Sequence, residues 1–141
     1  MIANERLFHG LDTSVVVRLL WGEPVDQALV AKAFVENAAA KGLRLVVSDL
    51  VIAESYFSLQ HHYGVSKDDA LKGILKLLES RLVEPQFDSP VLPVLKNVIS
   101  GSKKLDFVDR VIYEQYRLAS APMVTFERAA GRLPGVTVLR G

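Results

Sequence analysis

Apolar positions along this chain follow two rhythms in turn, short β-branched runs and longer stretches in which they recur at the helical period. Arg6 to Leu11 reads as a strand, interrupted by His9 and Gly10, that runs directly into Asp12. Thr13 or Ser14 can cap a helix through Val15 to Trp21. Gly22 closes that segment, Pro24 suits a first helical turn, and Val25 to Ala40 carries apolar residues at helical spacing until Gly42 stops it. Leu43 to Val47 is short, apolar and β-branched, which predicts a buried strand. Ser48 can cap the next helix, Asp49 to about His62, whose Leu50, Ala53 and Phe57 follow the helical period.

The second half continues the alternation. Ser66 with Asp69 makes a Ser-x-x-acid box opening a helix through Arg81, and Leu82 to Glu84 is a short extended piece. Phe87 to Pro93 reads as a loop leading into a helix, and Val91 to Ser100 is helical until Gly101. A helix beginning at Asp106, a strand Met123 to Thr125, a short helix around Arg128 to Arg132 and a last strand Val136 to Leu139 complete the order. Strands and helices in alternation predict an α/β fold, a three-layer α/β/α arrangement with a central parallel sheet and its ligand site at the C-terminal edge of the strands. There is no internal repeat and no low-complexity linker, so residues 1–141 are expected to form a single domain.

Composition narrows the class. A chain of 141 residues, 50% hydrophobic, can bury a sizeable core. Its net charge of +1 supplies no overall attraction for an acidic polymer, so binding to one would need a local basic patch. Zero cysteines exclude disulfides and thiolate metal sites and fit a reducing compartment. The start, MIANERLFHG, has no apolar run of signal-peptide type, and no segment approaches about 20 consecutive apolar residues. A soluble, cytoplasmic protein with no membrane partner is expected.

The candidate chemistry lies in carboxylates. Asp106 and Asp109, three apart at the start of a helix, share one face, where two like charges destabilise the fold unless something separates or neutralises them. Alone, the pair reads either as acids favoured by the helix dipole or as ligands of a hard divalent cation. Further acids change that balance. Asp12 follows the first strand, Glu127 follows Met123 to Thr125, and Glu54 lies in the first turns after Leu43 to Val47, beside an apolar stripe where a carboxylate needs a partner. The proposed topology brings all of them to one sheet edge, which favours a metal site.

At this point the chain resembles the PIN-domain family, and within it the VapC-type toxins. The resemblance covers nearly the whole chain and rests on LDTSVVVRLL with Asp12, SDLVIAESYFSL with Glu54, LDFVDRVIYEQY with Asp106 and Asp109, and MVTFERAAGRLPGVTVL with Thr125. It implies a Mg²⁺- or Mn²⁺-dependent nuclease, commonly an endoribonuclease, with RNA as substrate, a homodimeric state and a cognate antitoxin as partner. By the same resemblance Asp12, Glu54 and Asp109 match the principal acids, Asp106 is a secondary one, and Ser14 and Thr125 match the small hydroxyl positions beside them. The family's last acid is typically an aspartate in a Thr-x-Asp segment, whereas this chain reads Thr125, Phe126, Glu127. The longer side chain could reach a metal directly or through water, or could pair with Arg128 or Arg132.

On this reading Asp12 and Asp109 hold the principal ion with Asp106 and Glu127 in support, and Lys103, Lys104, Arg110 and Arg128 flank the acids where they could meet phosphates or remain solvated. Asp12-Thr13-Ser14 lacks the second aspartate of a haloacid-dehalogenase-type phosphatase, and there is no Gly-rich phosphate loop or Gly-x-Ser-x-Gly elbow. His61 and His62 are adjacent, hence on different helix faces, and read as surface or structural residues. Trp21, Phe57, Tyr113 and Tyr116 read as core and interface aromatics. The competing possibility is a catalytically silent PIN-like module that binds RNA or a protein, and Glu127 is the feature that favours it.

Overall fold

A computed structural model describes residues 8–101 and 105–141, which fall into two compact units, one ending at Ser89 and one beginning at Pro90. In the first, three parallel strands, β1 (Phe8–Gly10), β2 (Arg44–Val47) and β3 (Val83–Pro85), lie in that spatial order. Phe8 pairs with Arg44 and Gly10 with Val46, while Leu45 pairs with Val83 and Val47 with Pro85. Four helices connect them: α1 (Thr13–Trp21), α2 (Val25–Ala40), α3 (Asp49–His61) and α4 (Lys67–Glu79).

The order follows from local chemistry. Gly22 takes a left-handed conformation, φ 82°, and its N–H reaches Arg18 O at 3.0 Å, ending α1 where a side-chain-bearing residue would be strained. Ser48 Oγ accepts from Val51 N at 3.2 Å and Ser66 Oγ from Asp69 N at 3.1 Å, so both serines cap as expected. Val16 and Val17 of α1, Ile52 and Tyr56 of α3, and Leu71 and Ile74 of α4 are buried with Leu45, Val47 and Val83 of the sheet. The rim of the sheet is tied by one chain of contacts. The Arg44 guanidinium lies 4.7 Å from the centre of the Phe8 ring and ion-pairs with Glu84, linking all three strands.

In the second unit α5 (Val91–Ser100) packs on α6 (Phe107–Leu118), and β4 (Met123–Thr125) pairs in parallel with β5 (Val136–Val138) across a 3₁₀ turn at Arg128–Arg132. Leu105, Tyr113, Met123 and Ala130 form its buried cluster, with Leu133 and Val136 against it. The Tyr113 hydroxyl donates to Pro134 O at 2.8 Å.

The α/β architecture with parallel strands is the one expected from the alternation, but the strands are divided between two sheets, β1-β2-β3 and β4-β5. Glu127 therefore follows a strand of the second sheet and not of the one that ends at Asp12; the remaining corrections are local. The cap of α1 is Asp12 rather than Thr13 or Ser14, because Asp12 keeps extended dihedrals, φ −83° and ψ 164°, and Thr13 is already helical. Helix α4 stops at Glu79, not Arg81, since Ser80 Oγ donates to Leu77 O at 2.6 Å and Arg81 turns to φ 66°. The following strand is accordingly Val83–Pro85, and β5 ends at Val138 rather than Leu139. Of the first expected strand, Arg6 and Leu7 lie outside the described residues. Among the described residues no helix is long and apolar enough to cross a membrane.

Candidate active site

Leu11 N bonds to Val46 O at 2.9 Å, carrying the ladder one residue beyond β1, and the next residue, Asp12, caps α1. Asp12 therefore stands just past the C-terminal end of a parallel strand. Glu54 occupies the second turn of α3, which begins immediately after the neighbouring strand β2. Helices α1 and α3 pack together, and Thr13 Oγ1 donates to Glu54 Oε1 at 2.8 Å. Ser14 Oγ lies 3.4 Å from Asp12 Oδ2, a long contact to the other carboxylate. Two exposed acids with a hydroxyl beside each thus meet the edge where open parallel sheets take ligands.

The second unit holds the other acids. Asp106 is the cap of α6, Asp109 lies in its first turn, and Glu127 stands two residues past the end of β4. The Asp109 carboxyl titrates above the ordinary value of 3.8, because partial burial disfavours its charge and because the Asp106 and Glu127 carboxylates repel it. Glu127 therefore shares the electrostatic neighbourhood of the Asp106 and Asp109 pair. Among the described residues it forms no ion pair with Arg128 or Arg132. Thr125 Oγ1 accepts from Glu127 N at 3.0 Å and so fixes the backbone that presents the glutamate.

The cations are less uniform than their positions in the sequence imply. Arg110 Nε lies 3.6 Å from Glu114 Oε1, and its guanidinium lies 5.9 Å from the centre of the Tyr113 ring, so its charge is already engaged on its own helix. Arg128 is exposed and unpaired among the described residues. Lys103 and Lys104 lie outside the described residues. The histidines are taken up by ring contacts, His61 against Phe57 and His62 against Tyr63, with centroids 6.1 and 6.5 Å apart. Trp21 packs at a tilt against Tyr63, centroids 5.2 Å apart, Tyr113 is buried, and Phe57 and Tyr116 are exposed.

The donor set is entirely oxygen, the type hard divalent cations take. Among the described residues no three carboxylates or imidazoles are drawn close enough to hold an ion as they stand. A cavity of about 560 Å³ beside Ser14, between β1, α1 and α2, is lined by Val15, Val30 and Phe34 and includes neither Asp12 nor Glu54. Sequence reasoning missed Thr13 as the group that holds Glu54; its only signal was a hydroxyl residue adjoining Asp12.

Comparison with known proteins supplies one match: the PIN domain family model aligns with residues 11–136, across both units. No curated protein and no solved structure matches the chain.

Proposed function

This chain belongs to the PIN domain family, whose members are generally nucleases, and we propose that it is a Mg²⁺- or Mn²⁺-dependent endoribonuclease that hydrolyses RNA phosphodiester bonds. The observation that carries the proposal is the set of acids around Asp109, whose carboxyl is raised first by partial burial and then by Asp106 and Glu127, with no cation among the described residues paired to Glu127. Such an arrangement costs stability in the absence of a positive ligand and suits one of hard character.

Asp12 and Asp109 are the acids assigned to the principal ion, with Asp106 and Glu127 in support. Glu54, steadied by Thr13, serves the reaction by orienting the attacking water. Ser14 and Thr125 hold neighbouring groups in place through the hydrogen bonds described above. The chemistry a divalent cation supplies when bound is acidification of a water and neutralisation of charge growing on the phosphate. Lys103, Lys104 and Arg128 are assigned to RNA phosphates, contacts that position a strand without reading its sequence, whereas Arg110 is engaged by Glu114. As the reading extends to biology, the protein is a cytoplasmic, homodimeric toxin silenced by a cognate antitoxin.

The test is cleavage of RNA by the purified protein, freed of any partner, with Mg²⁺ or Mn²⁺ and with chelator. Cleavage that stops with chelator supports the proposal; cleavage that persists after complete metal removal overturns the mechanism. Glu127 in place of the usual aspartate favours a second reading, a silent PIN-like module, and RNA binding without cleavage under either metal would establish it.

A further inference from the structure

We propose that Arg128 and Arg140 form a docking site for one backbone phosphate of the RNA strand, an inference that rests on the ribonuclease reading. Side chains two apart on an extended chain share a face, so Val136 and Val138 of β5 lie together and Arg140 continues their alternation. The 3₁₀ turn covers that face. Its Gly131 comes so near that an added Cβ would stand 3.3 Å from Val138 Cγ2. Between turn and strand lies a cavity of about 570 Å³ lined by Arg128, Gly131, Val136, Val138 and Arg140. Among the described residues its walls are two valines and a glycine, and its charged groups are two guanidiniums.

What sets these two arginines apart is their place at one cavity, since Arg81 and Arg132 also lack an acidic partner among the described residues. Arg44, Arg110 and Arg117 each meet a glutamate, whereas neither Arg128 nor Arg140 has an acidic partner among the described residues. Two cations facing one cavity repel each other until an anion enters, and the planar guanidinium fork matches the paired oxygens of a phosphate. A backbone phosphate is favoured over a carboxylate ligand by position. Arg128 directly follows Glu127, so a strand held in the cavity starts beside one of the candidate acids.

The experiment is fluorescence anisotropy of the full chain with a labelled single-stranded RNA, in chelator to prevent cleavage, over a series of salt concentrations. Loss of one phosphate contact on a single strand should flatten the slope of log K against log salt by about 0.7. Arg128→Gln/Arg140→Gln is expected to show that change, with about tenfold weaker binding at moderate salt and an unaltered melting curve. Arg132→Gln, from the same turn but outside the cavity, is expected to leave the slope unchanged. A double variant with the wild-type slope, or an equal change in Arg132→Gln, overturns the site. If the double variant keeps the wild-type slope while the wild type still cleaves RNA with Mg²⁺, the docking site alone falls. If the slope changes as expected but the wild type never cleaves, the site stands and the ribonuclease reading falls.

Discussion

Thr13 Oγ1 and Glu54 Oε1 are 2.8 Å apart, a hydrogen bond that joins the first residue of α1 to the second turn of α3. Glu54 is exposed, so without this bond its carboxylate would sample several rotamers. Thr13→Val is expected to cost about 0.5–1.5 kcal/mol in stability by urea titration. RNA cleavage should fall further than that loss of folded protein explains, and Thr13→Ser should restore it. Undiminished cleavage by the valine variant would show that Glu54 needs no positioning.

Asp109 makes stability depend on pH in a defined direction. Its folded-state pKa is raised above the ordinary 3.8 by burial, Asp106 and Glu127. The folded chain therefore holds this proton where the unfolded chain has released it, and stability falls as pH rises through that interval. Metal-free Asp109→Asn should melt above metal-free wild type at neutral pH and match it in acid, where both states are protonated. A lower melting point at neutral pH would show that the favourable helix-dipole interaction, roughly 0.3–1 kcal/mol, dominates instead.

Metal addition tests the same acids from the other side. Mg²⁺ at a hundredfold excess over its Kd is expected to stabilise the wild type by about 2.7 kcal/mol. Asp109→Asn should respond much less, and its cleavage should fall with its response. An identical Mg²⁺ shift in both proteins, read by calorimetry, would remove Asp109 from the proposed ion site.

How far the sequence reveals this arrangement depends on the range of the interaction. Ser48 and Ser66 were legible as caps because capping acts over three residues, and Asp12 was legible at a strand end because the strand and its acid are contiguous. The end of α4 was not, since helical propensity carries on through Arg81 and the stop comes from Ser80 Oγ capturing the Leu77 carbonyl. Thr13 holding Glu54 spans α1 and α3 and requires knowledge of their packing. Sequence left Glu127 open between metal and arginine; its lack of an arginine partner and its influence on Asp109 depend on where β4 delivers it.

The helix caps offer a stability test independent of function. Ser48→Ala removes the acceptor for Val51 N and should cost about 1 kcal/mol, visible as a lower urea midpoint at unchanged slope. A midpoint equal to wild type would mean that water replaces the hydroxyl there.

A homodimer is expected from the family resemblance and from the apolar, aromatic content of Val25 to Phe34 and of the Tyr56 to Tyr63 region; Tyr56 is buried, whereas Val25, Leu29, Val30 and Phe34 of α2 are all exposed. Light scattering at micromolar concentration is expected to give twice the chain mass, and Leu29→Asp/Val30→Asp to give the monomer. A dimer unaffected by that double substitution would locate the interface elsewhere.

Trp21, the chain's single tryptophan, packs at a tilt against Tyr63 and donates from Nε1 to Glu23 at 3.1 Å, both within the unit that ends at Ser89. Its emission consequently reports the melting of that unit alone, whereas far-ultraviolet dichroism sums the helices of both. Superimposable curves from the two signals would mark a single cooperative transition, and a separation between them would reveal an intermediate in which the acids of one half outlast those of the other.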